Sequence, residues 1–231
     1  MTAAAELARE GAPHGTAVVA DEQTAGIGRH GHSWHSQPGG LYVSIILRLP
    51  NATPIVMLAL GLAARDAIAS VPLPYGRGSV SAAFLNRDRE GVAVDLRWPN
   101  DVLLNGRKCA GVIAQREGGA VIAGIGINVN QTAFPEGIDA TSLLLAGATT
   151  SSEAVLEALL NTVDRYCAEE PAEVRRMFEA SSSYARNRRV RVEQDDIEGI
   201  TQGLDANGFL LVRQDNGQMT TILAGGVRPC S

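Results

Sequence analysis

Arg97-Trp98-Pro99-Asn100-Asp101-Val102-Leu103-Leu104-Asn105-Gly106-Arg107-Lys108-Cys109-Ala110-Gly111-Val112 is the stretch on which the reading of the fold turns. Residues 91–98 read as a strand that must end at Trp98-Pro99, because proline has no N–H to give to a ladder. Asn100 and Asp101 then turn the chain. Apolar runs at 102–104 and 108–113 flank Asn105-Gly106, a dipeptide that accepts the positive φ angles of a two-residue hairpin. Gly118-Gly119 offers a second tight turn, so residues 102–129 are expected to form an antiparallel meander. The first hairpin would return Lys108 to the side of Asn100 and Asp101.

Working outward, residues 3–10 read as a helix closed by Gly11 and 16–20 as a buried strand. Residues 24–40 form a glycine-rich polar loop, long enough that a function is expected of it. A strand at 41–49 and an apolar helix at 54–69 follow, with Pro54 suited to a first helical turn. Residues 71–90 have no period and read as a surface insertion. Helices are expected at 152–169, with Ser and Glu at its start, and at 171–182. After Ser183 the texture changes to short β runs at 188–193, 198–204, 209–214 and 220–223. Asp205-Ala206-Asn207-Gly208 and Asp215-Asn216-Gly217 separate the last three runs, which predicts a compact β-barrel. The expected fold class is therefore α+β. A mixed, mainly antiparallel sheet with helices occupies residues 1–183, and a small β domain occupies 184–231.

Composition narrows the function classes. The chain is 45% hydrophobic but only 4% aromatic, so its core must be built from Ala, Val, Leu and Ile. A net charge of −5 repels polyanions, and nucleic acid is not expected as a partner. Cys109, Cys167 and Cys230 are odd in number and have no CxxC spacing, which fits a reducing cytoplasm better than a disulfide framework. No 18-residue apolar run is present, and the acidic amphipathic start resembles neither a signal peptide nor a membrane anchor.

Three segments can carry chemistry. Gln23-Thr24-Ala25-Gly26-Ile27-Gly28-Arg29-His30-Gly31-His32-Ser33-Trp34 lets backbone N–H groups approach an anion, and Arg29 adds a fixed cationic fork. Gly26, Gly28 and Gly31 also match a dinucleotide fingerprint, but that motif needs a strand leading into a helix, whereas a strand follows here. His30, His32 and His35 could hold zinc, yet no neighbouring Cys or carboxylate supplies a fourth ligand, so solvated histidines are expected. The second segment is the opening stretch. Of 20 basic residues, 19 are arginine and Lys108 is the sole lysine, which suggests a place that needs a compact ammonium. Asp101 could meet the Mg2+ carried by a nucleotide. The third segment, Gly124-Ile125-Gly126-Ile127-Asn128-Val129-Asn130, is a strand whose glycines allow close approach by a ligand.

In this order, QTAGIGRHGHSW, RWPNDVLLNGRKCAGV and GIGINVN resemble the three motifs of the biotin protein ligases, and the similarity covers nearly all of residues 5–231. The resemblance implies a class II synthetase-like, biotin-ligase-like catalytic domain followed by an SH3-like β-barrel. It implies ATP-dependent activation of biotin to biotinyl-5'-AMP and transfer to a lysine of a biotin carboxyl carrier protein. It places Gln23, Ile27, Gly28, Arg29 and Lys108 on biotin. Asn100, Asp101, Asn128 and Arg228 fall on the nucleotide, with Asp101 serving Mg2+ and with Lys108, Arg29 and Asp101 as the catalytic groups. A homodimer is compatible with it; a membrane partner is not expected.

Ile27 and His32 stand where the family loop carries arginines, and residues 71–90 lie outside the family pattern. The family's Ser-Thr-Asn segment has no counterpart ahead of the first helix. No helix-turn-helix precedes the matched region, so a repressor role is not expected. Three other readings stay open at this point: a lipoate or octanoate ligase of the same fold, a catalytically impaired biotin-binding remnant, and a dinucleotide oxidoreductase.

Overall fold

A computed structural model of the chain describes residues 1–31, 33–49, 54–73, 93–193 and 196–230. Its larger sheet has six strands: β1 (Ala17–Ala20), β2 (Leu41–Leu47), β3 (Val94–Arg97), β4 (Asp101–Leu104), β5 (Arg107–Glu117) and β6 (Ala120–Ile127). Their order is β1-β2-β6-β5-β4-β3, and every pairing is antiparallel. The expected meander is therefore present, as β4, β5 and β6 joined by the Asn105-Gly106 and Gly118-Gly119 turns. The sheet expected to be mainly antiparallel is antiparallel throughout these pairings.

One face of this sheet makes the core. Val43, Ile125, Val112 and Val102 are almost fully buried there, together with Leu96. Helix α2 (Val56–Ala69) lies on this side and is buried around most of its circumference, because α3 (Ser152–Ala168) and α4 (Pro171–Ala180) cover it. A helix apolar on all sides is stable only when packed on all sides. Helix α3 starts where expected: the Ser151 hydroxyl accepts the Ala154 N–H at 3.2 Å, satisfying a donor that the first turn leaves free.

The opposite face is shared. Helix α1 (Thr2–Arg9) covers one end of it with Ala4, Ala5 and Ala8, which pack on Ile46 and Ile122. The other end is open. Strand β1 was expected to be buried, but it is the edge of the sheet and only half-buried, with Val19 49% exposed. Its alternation is the reason: Val18 turns in toward the α1 cluster, and Val19 turns away from it.

Residues 186–229 form a second sheet from β7 (Arg186–Val192), β8 (Glu198–Leu204), β9 (Leu210–Gln214), β10 (Met219–Ile222) and β11 (Val227–Pro229), ordered β10-β9-β8-β7-β11. This is the SH3-like β domain. Strand β11 was not expected, since three residues after two glycines, the last of them a proline, are too few to show alternation. The domain docks on the larger sheet through the Trp98 indole, whose N–H donates to the Gly208 carbonyl at 3.0 Å. Most of the expected insertion at 71–90, and His32, lie outside the described residues.

Phe178 of α4 is fully buried. Its truncation to alanine should cost about 3–5 kcal/mol. Urea denaturation of Phe178→Ala checks this, and an unchanged midpoint would mean that α4 is not part of the cooperative core.

Candidate active site

The strand register decides what faces the open side of the larger sheet. Directly paired residues point to the same face, and one row of pairs crosses five strands: Tyr42 opposite Gly126, Gly126 opposite Gly111, Gly111 opposite Asp101, and Asp101 opposite Arg97. The next row pairs Ser44 with Gly124 and Gly124 with Ile113. These residues form the floor of a cavity of about 800 Å3.

Lys108 reaches the same face because the ladder is irregular. Unbroken pairing from Asp101–Gly111 would set Cys109 opposite Leu103. A shift between Val102 and Leu103 sets Lys108 there instead and sends Cys109 into the core. A β-bulge turns a strand and re-aims a side chain in this way. Burial pushes the Cys109 thiol up to about 12, leaving it an unreactive packing group at neutral pH. The Lys108 ammonium ends 2.5 Å from Asp101 Oδ1. Arg97 donates to Asp101 Oδ2 from Nη2 at 2.6 Å and from Nε at 3.2 Å. Burial works against the Asp101 carboxylate, but Lys108 and Arg97 outweigh it and hold the group below its ordinary value.

The glycine loop covers this floor as a hairpin rather than a loose coil. Ile27 pairs with Ser33, the Trp34 N–H donates to the Gly26 carbonyl at 2.8 Å, and the Gln23 N–H donates to the Ser36 carbonyl at 3.1 Å. A 3-10 turn at Arg29–Gly31 forms the tip. The Trp34 ring packs on the two floor glycines: a Cβ on Gly126 would come within 2.7 Å of it, and one on Gly111 within 2.8 Å. Only glycine leaves that space, which explains both residues in strand interiors. The Lys108 ammonium sits 5.1 Å from the Trp34 ring centroid, within reach of a cation–π attraction.

Arg29 closes the cavity from the loop tip. Its Nη1 donates to Asn100 Oδ1 at 3.3 Å and to the Gly225 carbonyl of the β domain at 3.1 Å. Burial lowers its pKa, opposed by Asp101 and Glu193, and a guanidinium that starts so high stays charged. Asn100 is fixed in turn, because its amide donates to the Val112 carbonyl at 2.8 Å. At the rim, Glu193 accepts a hydrogen bond from Arg228 Nε. Asn128 follows β6 and donates to the Thr141 carbonyl at 2.9 Å.

All nine residues singled out in the sequence line this one cavity: Gln23, Ile27, Gly28, Arg29, Asn100, Asp101, Lys108, Asn128 and Arg228. Ile27 is 64% exposed and so contributes at the mouth. Tyr42 and Glu193 were missed as lining residues. Tyr42 carries a usable signal, since alternation along β2 puts it on the same face as Ser44; Glu193 carries none, since its place follows from how the β domain docks.

Fold and site together define a two-part α+β protein, a larger sheet with a glycine hairpin over its floor and an SH3-like domain at its rim. Residues 1–131 match the model of the biotin/lipoate A/B protein ligase family, and residues 187–227 match the biotin protein ligase C-terminal domain. The chain belongs to the biotin/lipoate A/B protein ligase family. It is 34% identical over 231 residues to the bifunctional ligase/repressor BirA of Bacillus spizizenii, covering 92% of this chain and 66% of that protein, just under two thirds. It is 31% identical over 234 residues to the biotin–[acetyl-CoA-carboxylase] ligase of Mycobacterium tuberculosis, covering 92% of this chain and 77% of that one. Among solved structures, the biotin protein ligase of Aquifex aeolicus in complex with biotin and ATP superposes with a TM-score of 0.76 at 30% identity, covering 97% of this chain and 94% of that one.

The Asp101 pairing has a pH signature. A carboxyl group whose folded pKa is depressed stabilises the fold fully above its unfolded value of about 3.9, and loses that contribution as pH falls through the lower folded value. Urea midpoints of the wild type and Asp101→Asn should differ by a constant amount above about pH 4 and converge in more acid solution. A gap that does not narrow would mean that the pairing adds no stability.

Proposed function

We propose that this protein activates biotin with ATP to biotinyl-5'-AMP and transfers the biotinyl group to a lysine of a biotin carboxyl carrier protein. The observation that carries the reading is the shared cavity, which joins Arg29 of the glycine hairpin, Lys108 of β5 and the floor glycines. In the first step a biotin carboxylate oxygen bonds to the α-phosphorus of ATP and pyrophosphate leaves. Both reactants are anions, so the step needs fixed positive charge where they meet. Lys108 and Arg29 are that charge in this reading. In the second step the neutral amine of the acceptor lysine attacks the biotinyl carbonyl, AMP leaves with the bonding electrons, and the amine proton passes to solvent. Water must be kept out between the two steps, which is the work of the closed hairpin.

Gln23, Ile27, Gly28, Arg29 and Lys108 are assigned to biotin, and Asn100, Asp101, Asn128 and Arg228 to the nucleotide. The Asp101 site does not fit a divalent cation well. Its two oxygens already carry Lys108 and Arg97, and among the described residues no group of three His, Cys, Asp or Glu side chains could hold a metal. Mg2+ is held chiefly by phosphates and water when it travels with a nucleotide, so no step here passes through a protein-bound ion.

Residues 1–183 are read as the catalytic domain and 184–231 as the β domain. A cytoplasmic setting belongs to the same reading; among the described residues no helix is long and apolar enough to cross a membrane. The exposed edge strand β1 leaves ladder groups open to a second copy, so the reading includes a homodimer, and a light-scattering mass of one chain, 24.3 kDa, would reject it.

Lys108→Ala should lower the rate of adenylate formation by about 100- to 1000-fold, the loss seen when one charge-stabilising donor is removed. ATP–pyrophosphate exchange with biotin measures it, and near-normal exchange would count against the assignment. Mass spectrometry of a purified carrier domain incubated with ATP, biotin and the wild-type enzyme should find one added biotinyl group. Exchange supported by lipoate and not by biotin would move the substrate to the other branch of the family.

A further inference from the structure

At the edge of the cavity floor lies a buried polar pair that the chemistry above does not use. Tyr42 is 2% exposed and Gln131 is 4% exposed. The Tyr42 hydroxyl donates to the Gln37 carbonyl at 2.6 Å and accepts from Gln131 Nε2 at 2.9 Å. The orientation is forced: with its proton given to Gln37, the phenol can only accept from the amide, and Gln131 Oε1 is left without a hydrogen-bond partner in the described structure. A buried amide oxygen left unsatisfied costs stability, so its place in the structure calls for a reason.

The two ends of this chain of bonds belong to different parts of the site. Gln37 is on the return arm of the glycine hairpin, just past Ser36, which is tied to Gln23 through the Ser36 hydroxyl at 2.8 Å and through the backbone. Gln131 follows the strand end that carries Asn128, and its carbonyl is held by the Ser142 hydroxyl at 2.7 Å. One residue earlier, the Asn130 N–H donates to the Gly39 carbonyl at 2.7 Å, a second tie between the same two segments. A Cβ on Gly40 would run into both the Tyr42 hydroxyl and the Gln131 amide, so the pair occupies the space that glycine leaves.

We propose that Tyr42 and Gln131 are positioning residues that fasten the stem of the glycine hairpin to the Asn128–Gln131 segment and so hold the hairpin closed over the acyl-adenylate. The inference rests on the functional reading above for its ligand, but the fastening itself is a property of the free protein. Buried hydrogen bonds in series reinforce one another, and removing the middle hydroxyl releases both neighbours. Burial raises the Tyr42 pKa, with the Gln131 bond opposing, which keeps the phenol a proton donor at neutral pH.

Tyr42→Phe removes only the hydroxyl, and Gln131→Met removes only the amide at similar volume. In the ligand-free protein, backbone amide exchange across residues 23–40 should speed up about fivefold in Gln131→Met, the effect of losing one net hydrogen bond, and more in Tyr42→Phe, which loses two, while exchange in α2 and α3 stays unchanged. With ATP and biotin but no acceptor, the ratio of adenylate hydrolysed to adenylate formed should rise in step with the exchange, and the double variant should leak no more than Tyr42→Phe alone. Unchanged exchange across 23–40 in both variants, or faster exchange everywhere, would overturn the proposal. If the wild type forms no adenylate from biotin, the functional reading fails, and the exchange measurement still decides the fastening.

Discussion

The carboxylate of Asp101, set between the Lys108 ammonium and the Arg97 guanidinium, is the interaction on which the rest of the site depends. Three charges at the edge of an apolar sheet are tolerable only as a closed set, since a single buried charge has no compensation for lost water. The set fixes where Lys108 points, and that in turn fixes where an anion can be received. It also ties three neighbouring strands at one level, because Arg97, Asp101 and Lys108 belong to β3, β4 and β5. The ladder irregularity beside Leu103 is part of the same arrangement. Without it a core cysteine would face the cavity and the lysine would face the hydrocarbon interior.

Above this charged corner the site is built by what is missing. Gly111 and Gly126 remove side chains from the middle of the sheet, and the Trp34 ring fills part of the space from the hairpin. The middle of the floor is thus bare backbone, with one aromatic side chain packed on it from the hairpin. The charged groups stand at its margins, at Lys108 on one side and Arg29 and Arg228 at the rim. Arg29 bonds both to Asn100 in the catalytic sheet and to Gly225 in the SH3-like domain, so the smaller domain is part of the enclosure. A cavity that closes across a domain boundary can exclude water and still open for a second substrate.

Much of this was legible in the sequence, for identifiable reasons. Asn105-Gly106 and Gly118-Gly119 allow tight turns and little else, so the meander follows from local chemistry. The solitary lysine beside Trp98-Pro99-Asn100-Asp101 marked the corner of the site, and the glycine segment ending in Trp34 marked its cover. Where the reading failed, the cause was a contact between distant segments. Strand β1 looked buried from its apolar letters, yet among the described residues it has a neighbour on one side only. Strand β11 is too short to show a period, and it exists because β7 offers it a ladder.

The sequence by itself determined the order of helices and strands, the two-domain division of texture and the residue types from which an anion-binding cavity is made. These depend on neighbours within a few positions, where backbone preference and side-chain alternation act. Only the tertiary structure decided that a ladder shift turns the Lys108 ammonium onto the cavity face, that Trp34 packs on two glycines, that Tyr42 and Gln131 meet beneath the hairpin, and that Glu193 reaches the rim beside Arg228. Each of those outcomes depends on strand register or domain docking. Register is chosen by the summed packing of whole faces, and a shift of one residue exchanges every side chain between cavity and core.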